Sequence, residues 1–152
     1  MSLILMVCTG NLCRSPMAAG LLRQRLASEG LAGQYKVRSA GPWALEDRPA
    51  SEHAEEVMAE RGVDIAGHRA HSLAAADVAE ADLVLVMSRE HEQMIANTWP
   101  QYRWKVHRLS EMAGKRRDVE DPSGLPIGEY RTCADVIDGY LERGFDRILE
   151  LA

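Results

Sequence analysis

The chain has 152 residues, 46% hydrophobic and 27% charged, a balance that suits one soluble globular domain and argues against disorder. A formal net charge of −5 argues against a general nucleic-acid binder, and the one basic cluster, Lys115-Arg116-Arg117, reads as a solvated loop. No apolar run approaches the ~20 residues that span a bilayer, and three cysteines cannot all pair within one chain, which disfavours a secreted disulfide scaffold.

Strand and helix signals alternate from end to end, which predicts an α/β domain over residues 1–152 with a parallel sheet and helices on both faces. Leu3 to Val7 reads as a central strand, apolar on both faces; the segment lacks the basic flank and small-residue cleavage site of a signal peptide. Pro16 marks the first turn of the next helix, whose apolar side is Met17, Leu21, Leu22 and Leu26, and Gly30 ends it. Tyr35 to Ser39 alternates as a second strand and stops at Ala40-Gly41-Pro42. A helix over about 50–61 closes at Gly62. Asp82 to Met87 is a third strand with a continuous apolar run, and Ser88 caps the helix that follows. Val106 to Leu109 is a short fourth strand. A last helix starts near Gly128, with Tyr130, Ala134, Ile137, Leu141, Phe145 and Ile148 at spacings of three and four. Cys133 within it reads as a small buried residue. In such sheets the active crevice lies outside the carboxyl ends of the strands, where the turns after Val7, Ser39 and Met87 should meet.

The first of these turns carries chemistry. Five residues separate Cys8 from Arg14 in Cys8-Thr9-Gly10-Asn11-Leu12-Cys13-Arg14-Ser15-Pro16. Cys8 leaves a strand and faces the backbone N–H groups of residues 9–14, the positive end of a helix, and Arg14. That environment favours an ionised, nucleophilic sulfur. The Ser15 hydroxyl is placed to donate to it. Gly10 is expected to permit the turn that aims successive N–H groups inward, and Asn11 to brace the loop. Arg14 offers a planar fork to two phosphoryl oxygens. A cation at a helix start is unfavourable without an anion nearby, which favours a site over a surface arginine.

The run VCTGNLCRSP resembles the signature of the low-molecular-weight protein tyrosine phosphatases, and the resemblance covers the whole chain through Ser39-Ala40-Gly41, Gly67 to Ala70, Ala81 to Met87 and Asp121-Pro122. It implies a three-layer, flavodoxin-like fold with a four-stranded parallel sheet of order 2-1-3-4, and a metal-free phosphocysteine mechanism with no cofactor. It further implies a phosphorylated protein as substrate, inorganic phosphate as product, and Asp121 as general acid. Ser39 and His68 would support the loop together with Asn11 and Ser15, while Cys13 would protect Cys8 through a reversible disulfide. The composition adds the expectation of a cytoplasmic protein with no membrane or nucleic-acid partner, and a monomer or weak homodimer is the expected state.

The pattern departs from the tyrosine phosphatases after Asp121-Pro122, where Ser123-Gly124 replaces the aromatic residues that wall the pocket. The stretch Gly124 to Tyr130 looks more like the bacterial protein-arginine phosphatases of the same superfamily. Leu12 points the other way: those enzymes carry threonine there, and an apolar side chain suits a phenyl ring better than a guanidinium. Phosphotyrosine is therefore the first expectation and phosphoarginine the second, with Trp43 a candidate for the missing aromatic wall. Ser88 and Ala19 also depart, where aspartate and glutamate are common. A thiol-dependent arsenate reductase would need a cysteine pair on a mobile segment, which the lone helical Cys133 does not supply. A catalytically dead phosphate binder is disfavoured by the intact Cys8, Arg14 and Asp121. His91-Glu92 and His68/His71 fall short of metal-ligand spacing.

Overall fold

Apolar residues at consecutive positions need cover on both faces, and strand β1 (Ser2–Val7) finds it inside a parallel sheet. The structure, a computed structural model, describes residues 1–152. Strands β2 (Tyr35–Ala40), β3 (Leu83–Val86) and β4 (Val106–Arg108) complete a four-stranded sheet of order β2-β1-β3-β4, all pairs parallel. This is the expected order, and the architecture is the flavodoxin-like α/β fold. Ile4 lies beside Val37 on one side and Leu83 on the other, and Val7 beside Ala40 and Val86.

The period of two along each strand divides the core. Ile4, Met6, Leu83 and Leu85 face a larger apolar layer formed by α1 (Arg14–Ser28), α2 (Glu52–Glu60), α5 (Leu109–Met112) and α6 (Ile127–Leu151). Leu5, Val7, Val84 and Val86 face a smaller layer with Val78 of α3 (Ala75–Glu80) and Ile95 of α4 (Arg89–Thr98). Each fully buried aliphatic side chain contributes about 1.5–3 kcal/mol, so both layers are needed to hold the strands in register.

Gly30 and Gly62 end α1 and α2 with φ of 71° and 72°, the left-handed geometry a helix C-terminus favours. Ser51 and Ser88 cap α2 and α4 by accepting backbone N–H bonds from Ala54 and His91. Four elements differ from expectation. The fourth strand stops at Arg108, with Leu109 opening α5. Neither α3 nor α5 was anticipated, because one or two turns carry too little apolar periodicity to read. A 3₁₀ turn over Pro100–Lys105 precedes β4. Lys115, Arg116 and Arg117 are exposed, as a solvated loop requires.

Candidate active site

Four segments gather at the carboxyl edge of the sheet: the Cys8–Cys13 loop after β1, residues 41–51 after β2, Met87-Ser88 after β3, and residues 113–126 after α5. Backbone bonds tie the end of β2 and the 41–51 segment to the loop. Cys8 N–H donates to Ala40 C=O at 3.3 Å, Trp43 N–H to Thr9 C=O at 3.0 Å, and Ser51 N–H to Leu12 C=O at 3.0 Å. Four of the six buried polar or charged residues, Asn11, Arg14, Ser15 and His91, lie here, so polar burial is concentrated at this edge.

The turn is made by Asn11 rather than Gly10. Asn11 has φ of 55°, whereas Gly10 is outside the left-handed region and a Cβ there would meet only Leu12 Cγ, at 4.0 Å. Asparagine tolerates this conformation when its short side chain bonds locally, and here it does so twice. Its Oδ1 accepts from the His71 backbone N–H at 2.9 Å, and its Nδ2 donates to Ser15 Oγ at 2.7 Å. Because a backbone N–H can only donate, the amide orientation is fixed, and Ser15 Oγ must accept from Asn11. The Ser15 hydrogen is then free for Cys8 Sγ, 2.9 Å away.

His68 Nε2 lies 2.7 Å from the Asn11 carbonyl oxygen, so the ring donates there. Burial holds His68 below its ordinary value, opposed by this bond and reinforced by Arg23 and Arg69, and the ring stays neutral. Ser39 differs from expectation: it makes no side-chain hydrogen bond, and the loop is braced without it by Asn11, Ser15, His68 and the His71 backbone.

Arg14, the first residue of α1, is 5% exposed. Its Nη1 donates to Val119 C=O at 2.9 Å and its Nη2 to Thr9 Oγ1 at 3.3 Å. Its Nε is buried and has no acceptor in the protein, leaving a donor in the guanidinium plane for an anion. Asp121 Oδ2 lies 3.7 Å from Arg14 Nη2. Its Oδ1 accepts from Ser123 N–H at 3.0 Å, and the side chain is about half exposed, so the carboxyl is anchored yet accessible. The first turn of α1 holds no acidic residue and no side-chain cap. Thiol, guanidinium, helix N-terminus and carboxyl thus converge in an arrangement suited to a phosphoryl group.

A family model, Low molecular weight phosphotyrosine protein phosphatase, matches residues 3–150. The chain belongs to this family. The Probable low molecular weight protein-tyrosine-phosphatase EpsP of Ralstonia nicotianae is 41% identical, over 94% of this chain and 90% of the relative. A protein-arginine-phosphatase of Geobacillus stearothermophilus is 40% identical, over 92% of this chain and 91% of the relative. A YwlE arginine phosphatase, a cysteine-to-serine mutant with a phosphorylated active site serine, superimposes with a TM-score of 0.89 at 37% identity, covering 99% of this chain and 96% of that one. The chain is accordingly a phosphatase, and no helix is long and apolar enough to cross a membrane.

One member of the site, His91, was not legible as such in the sequence. His91, 1% exposed, places Nε2 2.8 Å from Thr9 Oγ1 and Nδ1 3.0 Å from Ser88 Oγ. Burial and then Arg14 push it down to about 4, so it is neutral near pH 7. The only hint was its place three residues after a capping serine. Cys13 is buried beneath Tyr130 and Ser51, with Sγ 3.6 Å from Tyr130 Oη and 3.4 Å from Ser51 Oγ. Burial pushes the Cys13 thiol up, and Cys133 up to about 12, so both are held as thiols. Trp43 is 57% exposed beside the loop that its backbone N–H holds, and Leu45, which the sequence did not single out, is 60% exposed nearby.

Proposed function

We propose that this phosphatase hydrolyses protein phosphotyrosine through a phosphocysteine formed on Cys8. The observation that carries the reading is Cys8 Sγ 2.9 Å from Ser15 Oγ, at the floor of a loop whose arginine is pinned at two nitrogens. The Cys8 thiolate attacks phosphorus, and the bond from phosphorus to the tyrosyl oxygen breaks. The Asp121 carboxyl gives its proton to that departing oxygen. The backbone N–H groups of Thr9, Gly10, Asn11, Leu12 and Cys13 and the Arg14 guanidinium hold the three non-bridging oxygens, while the Ser15 hydroxyl donates to the Cys8 sulfur. The Asp121 carboxylate then takes a proton from a water that attacks the phosphocysteine, releasing inorganic phosphate and the thiolate. Every charge and proton in this sequence has a protein group to receive it, so no step calls for a metal or cofactor.

Leu12 and Trp43 favour an aromatic leaving group, the first partly buried at the loop and the second offering an exposed indole beside it. A second reading, phosphoarginine, is supported by the arginine-phosphatase relatives and by Ser123-Gly124 after Asp121-Pro122. The acidic, reducing-compartment composition fits action on cytoplasmic phosphoproteins, by a monomer or weak homodimer. The test is kinetics on phosphotyrosine and phosphoarginine peptides in parallel, with and without a chelator. The proposal expects the higher kcat/KM on phosphotyrosine and no effect of the chelator. Higher kcat/KM on phosphoarginine would overturn the substrate, and loss of turnover with chelator would overturn the mechanism.

A further inference from the structure

The proposed reaction needs the Arg14 fork in one plane, and both of its protein anchors lead back to the same short piece of chain. One anchor is the Val119 carbonyl, 2.9 Å from Nη1, and Val119 N–H in turn donates to Met87 C=O at 2.7 Å. The other is Thr9 Oγ1, 3.3 Å from Nη2, which lies 2.8 Å from His91, and His91 is held by Ser88. Met87 and Ser88 are consecutive and leave the end of β3. Met87 N–H donates to Val7 C=O at 3.1 Å, directly before Cys8.

We infer that His91 is a positioning residue for phosphate recognition: it locks the Thr9 hydroxyl so that Thr9 Oγ1 and Val119 C=O together hold Arg14 in its receiving plane. The inference rests on the phosphatase reading above and adds a role to a side chain that does not touch the substrate. Thr9 Oγ1 turns about one bond, and without a partner it can rotate away from Arg14. An imidazole held at both nitrogens removes that freedom. Ser88 Oγ takes the ring at 3.0 Å and also caps α4, accepting His91 N–H at 3.4 Å, so ring and backbone are fixed by one hydroxyl. The ring must be neutral for this, with one nitrogen donating and the other accepting. The charged groups that act on it are Arg14, Asp118 and Asp121.

Amide side chains of two lengths separate the ring's two contacts. His91→Gln carries an amide far enough to reach Thr9, in the place of Nε2. His91→Asn keeps an amide near Ser88, in the place of Nδ1, and leaves Thr9 free. Steady-state kinetics on an aryl phosphate are measured with inorganic phosphate as competitive inhibitor, alongside thermal unfolding. His91→Asn should weaken phosphate inhibition about tenfold and lower kcat/KM at least as much, as expected for losing a bond to a charged group. His91→Gln should stay within about threefold of wild type. Thr9→Val, nearly isosteric, should match His91→Asn, and the double variant should be no worse than either alone.

Equal losses in the Asn and Gln variants, or losses that multiply in the double variant, would overturn the role. So would a Thr9→Val variant with wild-type phosphate affinity. Should His91→Asn fail to fold, Thr9→Val and His91→Gln carry the test by themselves. Cys8→Ser, assayed alongside, separates the two levels. Turnover that survives it defeats the phosphatase mechanism, whereas turnover lost in it with unaffected Thr9 and His91 variants defeats only the positioning role.

Discussion

A Cβ at Gly41 would press on loop backbone alone, and Gly41→Ala tests how tightly the Cys8 loop is built. The residue follows β2, where its N–H donates to His71 C=O at 3.0 Å and its C=O accepts from Leu73 N–H at 2.9 Å, so it cannot retreat freely. A Cβ there would stand 2.6 Å from Thr9 O, 2.7 Å from Cys8 O and 2.9 Å from Asn11 N. Ordinary contact begins near 3.4 Å, so strand and loop must part by up to about 0.8 Å. All three atoms are loop backbone with no rotamer to give way. Overpacking of this kind costs about 1–3 kcal/mol of stability. A displacement approaching 1 Å in the groups that position substrate costs on the order of 10²-fold in rate. The assay is kcat/KM on an aryl phosphate together with urea unfolding. Gly128→Ala serves as the control, since a Cβ there meets nothing within 4 Å in the first turn of α6. It should keep full activity and gain up to about 1 kcal/mol. Wild-type kcat/KM in Gly41→Ala would refute the claim that the loop is held rigidly against β2.

Asp121→Ala should lose most activity on esters with poor leaving groups and least on nitrophenyl phosphate, because a good leaving group needs no proton; equal losses on both would remove Asp121 from the acid role. Leu12→Thr should shift the ratio of the two activities toward phosphoarginine, and an unchanged ratio in parallel peptide assays would show that polarity at this position does not set selectivity. His91 makes acid destabilising. Its native value of about 4 lies below the ordinary 6.5, so between these values the unfolded chain binds a proton that the native one refuses. Its contribution is complete above about pH 6.5 and is lost as pH falls toward 4, by up to roughly 3 kcal/mol. Urea unfolding from pH 7 to 4 should show a shallower decline in His91→Gln than in wild type. Parallel declines would contradict the assignment.

What the sequence revealed, and what it hid, follows from the range of the interactions. The strand, loop and helix around Cys8 are one continuous segment, so apolar run, thiol, arginine and Pro16 could be read together. The partners of that loop are dispersed. His91 reaches Thr9 across 82 residues and Val119 reaches Arg14 across 105, joined only when β3 and the 113–126 segment dock at the sheet edge. Glycine was the natural choice for a left-handed turn, but Asn11 takes it because its bonds to the buried Ser15 hydroxyl and to the His71 backbone N–H offset the strain. Ser39 was linked to the loop by resemblance, yet in the structure the adjacent bracing comes from His68 and the His71 backbone. The surroundings of Cys13 are equally remote, since Tyr130 reaches it from α6 across 117 residues.

The decisive experiment follows phosphate itself. Asp121→Ala, mixed with nitrophenyl phosphate, whose leaving group needs no proton, and quenched within one turnover, should carry one phosphoryl group on the peptide containing Cys8, because the water that clears it lacks its base. Phosphate bound to any other residue, or full turnover with Cys8 never modified, would contradict the account.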